Sequence, residues 1–171
     1  MPHSRLRPRA CLALIVLGLL PHPARAQPDE LVVSVGAFDF VRPARAGRDL
    51  RTAIAAEYRP AIELGWLEPF IGFLATTGGS ILGYGGLSID LPLVRDELLL
   101  TPSLALAGFK PDPSEDLGST IVFRTGADLR HPIAAVAWIG IGVFHVSNGG
   151  LADHNPGAES VTLSVSRSFD W

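Results

Sequence analysis

A chain of 171 residues has room for one ordinary domain, and 14 basic against 17 acidic residues give no basic surface for nucleic acid. It is 47% hydrophobic with a mean hydropathy of +0.30, yet past the N-terminal segment no run reaches the ~20 apolar residues that a membrane helix needs. With Cys11 as its single cysteine, the chain forms no internal disulfide.

Residues 1–26, MPHSRLRPRACLALIVLGLLPHPARA, read as a secretory signal peptide. Arg5, Arg7 and Arg9 are its basic start, CLALIVLGLL its apolar core, and Ala24-Arg25-Ala26 its small-x-small cleavage site. Cys11 opens the apolar run rather than following it, which makes it a poor site for lipid attachment. Cleavage removes four of the 14 basic residues and no acid, leaving 10 against 17 and a formal charge of −7 on residues 27–171. An exported, apolar chain without membrane helices points to a membrane β-barrel.

From Gln27 onward, segments of about ten residues alternate with period two between clusters of Pro, Gly and Asp. Eight strands are predicted, near 31–40, 49–58, 66–76, 80–90, 97–107, 118–129, 134–146 and 159–170. In the second, Leu50, Thr52, Ile54, Ala56 and Tyr58 oppose Arg51, Ala53, Ala55 and Glu57. In the fifth, Leu98, Leu100, Pro102, Leu104 and Leu106 oppose Thr101, Ser103, Ala105 and Ala107. In the sixth, Ile121, Phe123 and Leu129 oppose Thr120, Arg124 and Asp128. In the last, Val161, Leu163, Val165, Phe169 and Trp171 alternate with Ser160, Thr162, Ser164, Ser166, Ser168 and Asp170.

The predicted fold is all-β: an eight-stranded antiparallel transmembrane β-barrel of the outer-membrane type, spanning 27–171 as one domain. A soluble barrel with the apolar face inside is the alternative. The small hydroxyls of the last strand suit a narrow lumen, where Arg51, Glu57, Arg124 and Asp128 can pair, and Trp171 supplies the terminal aromatic common to such barrels. With both termini periplasmic, the connections after the first, third, fifth and seventh strands face outward from the cell. They include the three richest, VRPARAGR, GFKPDPSEDLG and NGGLADHNPGA. LPLVRD and RHPI read as compact turns, and RPAIELG as a longer one. Eight strands enclose an interior filled by side chains, so the barrel is not expected to be a pore.

The seventh strand places Ala135, Ala137, Ile139, Ile141 and Val143 on one face, and His145 and Ser147 continue it. The complement holds Trp138, Gly140, Gly142 and Phe144, so the odd, more aliphatic face is taken as the outer one. Glu159 shares its parity with Val161, Leu163 and Val165. All three polar side chains therefore fall on the lipid-facing wall, at neighbouring strand ends, where polar groups are costly. A Ser–His–Glu relay gives a reason: the imidazole takes the hydroxyl proton, and the carboxylate orients the imidazole. Amides of Asn148 and the Gly149-Gly150 pair are candidate donors to an oxyanion. Two other readings stay open: an ordinary polar loop beside an Asn-Pro-Gly turn, and a metal site from His145, Asp153 and His154.

The H-x-S-N-x-G stretch, with the following Asn and Glu, resembles the outer-membrane lipid A 3-O-deacylase family, also described as acyloxyacyl hydrolase-like. The segment EPFIGFLATTGGS and the overall length extend the likeness. The resemblance implies a triad on the outer barrel wall, with Ser147 as nucleophile, His145 as base and Glu159 as orienting acid. It implies oxyanion contacts from Asn148 and Gly150, and loop support from Asn155. The implied reaction removes the 3-O-linked 3-hydroxyacyl chain of lipid A in the outer leaflet of the outer membrane, without metal or organic cofactor. Lipid A (lipopolysaccharide) and outer-membrane lipids are the implied partners, and a homodimer is left open. The competing reading is a non-enzymatic structural or adhesive barrel that binds through its loops.

Overall fold

The computed structural model describes residues 28–41, 50–62, 64–94, 97–113 and 115–170. The expected signal peptide, nearly all of VRPARAGR and Trp171 lie outside these residues. Nine strands are described: β1 (Asp29–Phe38), β2 (Arg51–Arg59), β3 (Glu68–Thr76), β4 (Ile81–Ser88), β5 (Leu91–Val94), β6 (Leu98–Lys110), β7 (Ile121–Ala134), β8 (Ala137–Ser147) and β9 (Ala158–Phe169).

All pairings are antiparallel, and β1 pairs both β2 and β9, while β4 pairs β6. The sheet thus closes on itself as an eight-stranded barrel. β4 and β5 count as one barrel strand, since Ser88↔Ser103 and Leu91↔Leu100 keep a single register against β6. The connections after β1, β3, β6 and β8 share one rim, which we term the loop rim. Those after β2, β5 and β7 lie at the other, with both strand termini.

Period-two alternation decides what each face carries. The outer wall exposes Leu31, Val33 and Val35 of β1, Ile54 of β2, Ile71 and Phe73 of β3, Leu104 and Leu106 of β6, and Leu163 and Val165 of β9. Ala53, Ala55 and Glu57 of β2, Ala105 and Ala107 of β6, and Ser160, Thr162, Ser164 and Ser166 of β9 turn inward and are buried. Apolar outside and polar inside is the arrangement of a barrel solvated by lipid, and it overturns the soluble alternative.

Charges taken out of water must be paired or hydrogen-bonded. Arg130 meets Glu30, Asp90 at 3.3 Å and the Ser166 hydroxyl at 3.3 Å, while Ser166 donates to Glu30 at 2.6 Å. Arg59 pairs with Glu57 at 2.9 Å, and Arg124 lies 3.9 Å from that carboxylate with its guanidinium 3.6 Å above the Phe144 ring. Side chains therefore fill the lumen. Arg51 pairs at the loop rim with Asp112, at 3.0 Å, and with Glu115.

Two expected turns are strand instead. Leu91–Val94, from LPLVRD, prolongs the fourth barrel strand, and Arg130–Ile133, from RHPI, lies within β7. Prolines suggested breaks there, but Pro92 and Pro132 both sit next to register shifts, where a missing N–H is tolerated. In GFKPDPSEDLG, Gly108–Lys110 likewise belong to β6.

Candidate active site

β8 and β9 pair in a register that sets His145 directly opposite Glu159, with Val143 opposite Val161 one step further down the wall. His145 Nδ1 lies 3.4 Å from Glu159 Oε1. The two side chains are 46% and 37% exposed on the outer face, unlike the lumen charges. Ser147, two residues beyond His145, shares that face and is half-buried opposite Phe123 of β7. The parity expectation for these positions agrees with the geometry. The imidazole has one ring nitrogen toward a carboxylate and the hydroxyl on the same strand face, within a field of Ile141, Val143 and Leu163.

The loop from Asn148 to Gly157 continues from Ser147. Leu151 N donates to Asn148 O at 3.1 Å, and Gly149 (φ 62°) and Gly150 (φ 84°) occupy the centre of this turn. Positive φ at both central positions is the geometry of a type I′ turn, which Gly adopts without a Cβ penalty.

Asn148 is fully buried and organises the loop. Its Nδ2 donates to Leu117 O at 2.8 Å and to His154 O at 2.7 Å. Its Oδ1 accepts from Gly150 N at 2.9 Å, and its own N–H donates to Asn155 Oδ1 at 3.0 Å. Of the expected oxyanion donors, the amides of Asn148 and Gly150 are thus engaged within the loop. Asn148 and Gly150 hold the turn closed, and the Asn155 side chain ties it to the rest of the loop. A small amide next to a Gly pair suits either task.

Sequence reading missed the neighbouring loop between β6 and β7. Leu117 is fully buried, and a Cβ on Gly118 would stand 1.8 Å from His154 O, so the two loops meet backbone to backbone. An isolated leucine in the polar run SEDLGST was the available signal. Asp153 and His154 are exposed, and the described residues contain no group of three His, Cys, Asp or Glu able to hold a metal ion.

Comparison with known proteins bears on this geometry. The crystal structure of the outer membrane enzyme PagL superposes with a TM-score of 0.60 at 19% identity, covering 82% of this chain and 99% of that one. The N-terminal β-barrel domain of Pseudomonas aeruginosa OprF gives 0.59 at 11% identity, covering 85% of this chain and all of that one. A de novo designed transmembrane β-barrel gives 0.58 at 10% identity, covering 86% and 100%. These likenesses establish the fold. Among curated proteins, none matches the sequence. Residues 49–168 match the family model for PagL, lipid A 3-O-deacylase, and so span most of the barrel and every residue of the site. The chain belongs to the lipid A 3-O-deacylase (PagL) family.

Proposed function

We propose that this barrel is a serine esterase of the outer membrane that hydrolyses the ester joining a 3-hydroxyacyl chain to the 3 position of lipid A. The observation that carries the reading is the His145–Glu159 contact of 3.4 Å beside Ser147, on the apolar outer wall at the loop rim. Family membership supplies the reaction class. The OprF and designed barrels share the fold, so fold alone does not select this chemistry.

The loop rim faces the cell exterior in this reading, which sets the site level with lipid A in the outer leaflet. Ser147 Oγ attacks the ester carbonyl while His145 Nε2 takes its proton. Glu159 holds Nδ1–H and stabilises the imidazolium that forms. The C–O bond to the sugar then breaks, and His145 returns the proton to the departing sugar oxygen. Water, deprotonated by the same imidazole, attacks the acyl–Ser147 ester and releases the 3-hydroxy fatty acid. A 3.4 Å contact is longer than a charge-assisted hydrogen bond, and catalytic contacts of this kind tighten on substrate binding. Asn148 and Asn155 serve by fixing the loop that follows the nucleophile.

The test is mass spectrometry of lipid A from cells expressing the wild type or Ser147→Ala. Wild type removes one 3-hydroxyacyl chain. Ser147→Ala leaves lipid A intact while still migrating as a folded, heat-modifiable barrel. Unaltered lipid A with the wild-type protein rejects the proposal in favour of a binding or structural barrel.

A further inference from the structure

We infer that Gly157 is a positioning residue for the His145 imidazole, the backbone stop that fixes both ring nitrogens. Gly157 is buried at the end of the β8–β9 loop, immediately before β9, with φ 65°. A Cβ built there would stand 2.6 Å from His145 Cε1, 3.3 Å from Nε2 and 3.6 Å from Nδ1. Only a residue without a side chain lets the imidazole occupy its observed place.

The atom in closest approach matters. Cε1 lies between the two ring nitrogens, so a push there turns Nδ1 away from Glu159 and Nε2 away from its working direction together. Carbon atoms rest about 3.5–4.0 Å apart, so a methyl at this position displaces the ring by roughly 1 Å. Catalytic groups need placement within about 0.5 Å, and misplacement by about 1 Å costs on the order of 100-fold in rate. The imidazole is half exposed at the end of a rotatable side chain and yields without disturbing the barrel. The expected loss is therefore in chemistry rather than in folding. Gly65 isolates the other variable: it has φ 75°, at the opposite rim, and nothing within 4 Å of its Cβ position.

The inference rests on the Ser147–His145–Glu159 reading, and one experiment separates the two. Wild type, Gly157→Ala, Gly65→Ala and Ser147→Ala are purified in detergent and compared for heat-modifiable migration, kcat and KM on lipid A, and the 15N resonances of His145. Gly157→Ala is expected to fold, to lose about 100-fold in kcat with KM held within about twofold, and to shift both imidazole nitrogens. Gly65→Ala, with the same backbone strain, is expected to keep wild-type kcat. A Gly157→Ala enzyme with wild-type kcat, or with unshifted His145 resonances, overturns the inference. So does an equal loss in Gly65→Ala. If Ser147→Ala still hydrolyses lipid A, the triad reading fails instead, and the His145 resonances alone then judge the role of Gly157.

Discussion

The lumen and the outer wall both carry ionisable groups, but they hold them differently. Inside, Arg130 meets Glu30, Asp90 and Ser166 at once, and Arg59 and Arg124 converge on Glu57. These groups are buried, multiply bonded and fixed on several strands. Outside, His145 and Glu159 form one contact across one strand pair and stay substantially exposed. Over-determined charges rigidify a barrel, while a singly partnered imidazole beside a hydroxyl retains freedom to accept and return a proton. Under the proposed function, the difference gives architecture to the interior and chemistry to the exterior.

Breaking the exterior should cost rate. Removing the hydroxyl in Ser147→Ala is expected to lower deacylation by about 10⁴-fold or more, with heat-modifiability on gels unchanged. Glu159→Gln keeps the shape but loses the charge that, in the proposed relay, steadies the imidazolium. It is expected to lower kcat by about 10³-fold in assays on purified lipid A, with the urea midpoint in vesicles near the wild-type value.

Breaking the interior should cost stability instead. Arg130→Met leaves Asp90 without its cation and Glu30 with only the Arg59 contact at 3.8 Å, and is expected to destabilise the barrel by about 3–5 kcal/mol in urea unfolding from vesicles. The surviving folded fraction should keep its specific activity. Adding Glu30→Gln to Arg130→Met should cost less than the sum of the two single changes, since the two residues share one network. A large drop in kcat for Arg130→Met would erase the division between the two regions.

Asn148 sits at their junction. Asn148→Ala leaves Leu117 O, His154 O and Gly150 N without a partner side chain. About 1–3 kcal/mol of local stability should be lost, read as faster amide exchange at Gly150 and Leu151. If the activity loss far exceeds that of Asn155→Ala, Asn148 does more than brace the loop.

Much of this division was visible in the sequence because side-chain parity in a strand is rigid. The opposed sets in 50–58, 98–107 and 160–169 named the two faces, and the same alternation carried His145, Ser147 and Glu159 onto the outer wall. Prolines misled at 91–94 and 130–133, where register shifts absorb the missing donors. The hydrogen bonds of Asn148 were not legible, because a carboxamide offers the same donors to a loop carbonyl as to an oxyanion. Nor was the contact between the two loops, which depends on Gly118 and His154 meeting across 36 positions of chain.

An imidazole that faces away from the barrel axis has a kinetic consequence. A lipid reaching it travels sideways within a two-dimensional fluid and never crosses bulk water. For the proposed esterase, turnover in mixed micelles should follow the mole fraction of substrate in the amphiphile film. Adding inert detergent at fixed molar substrate should slow the reaction by surface dilution.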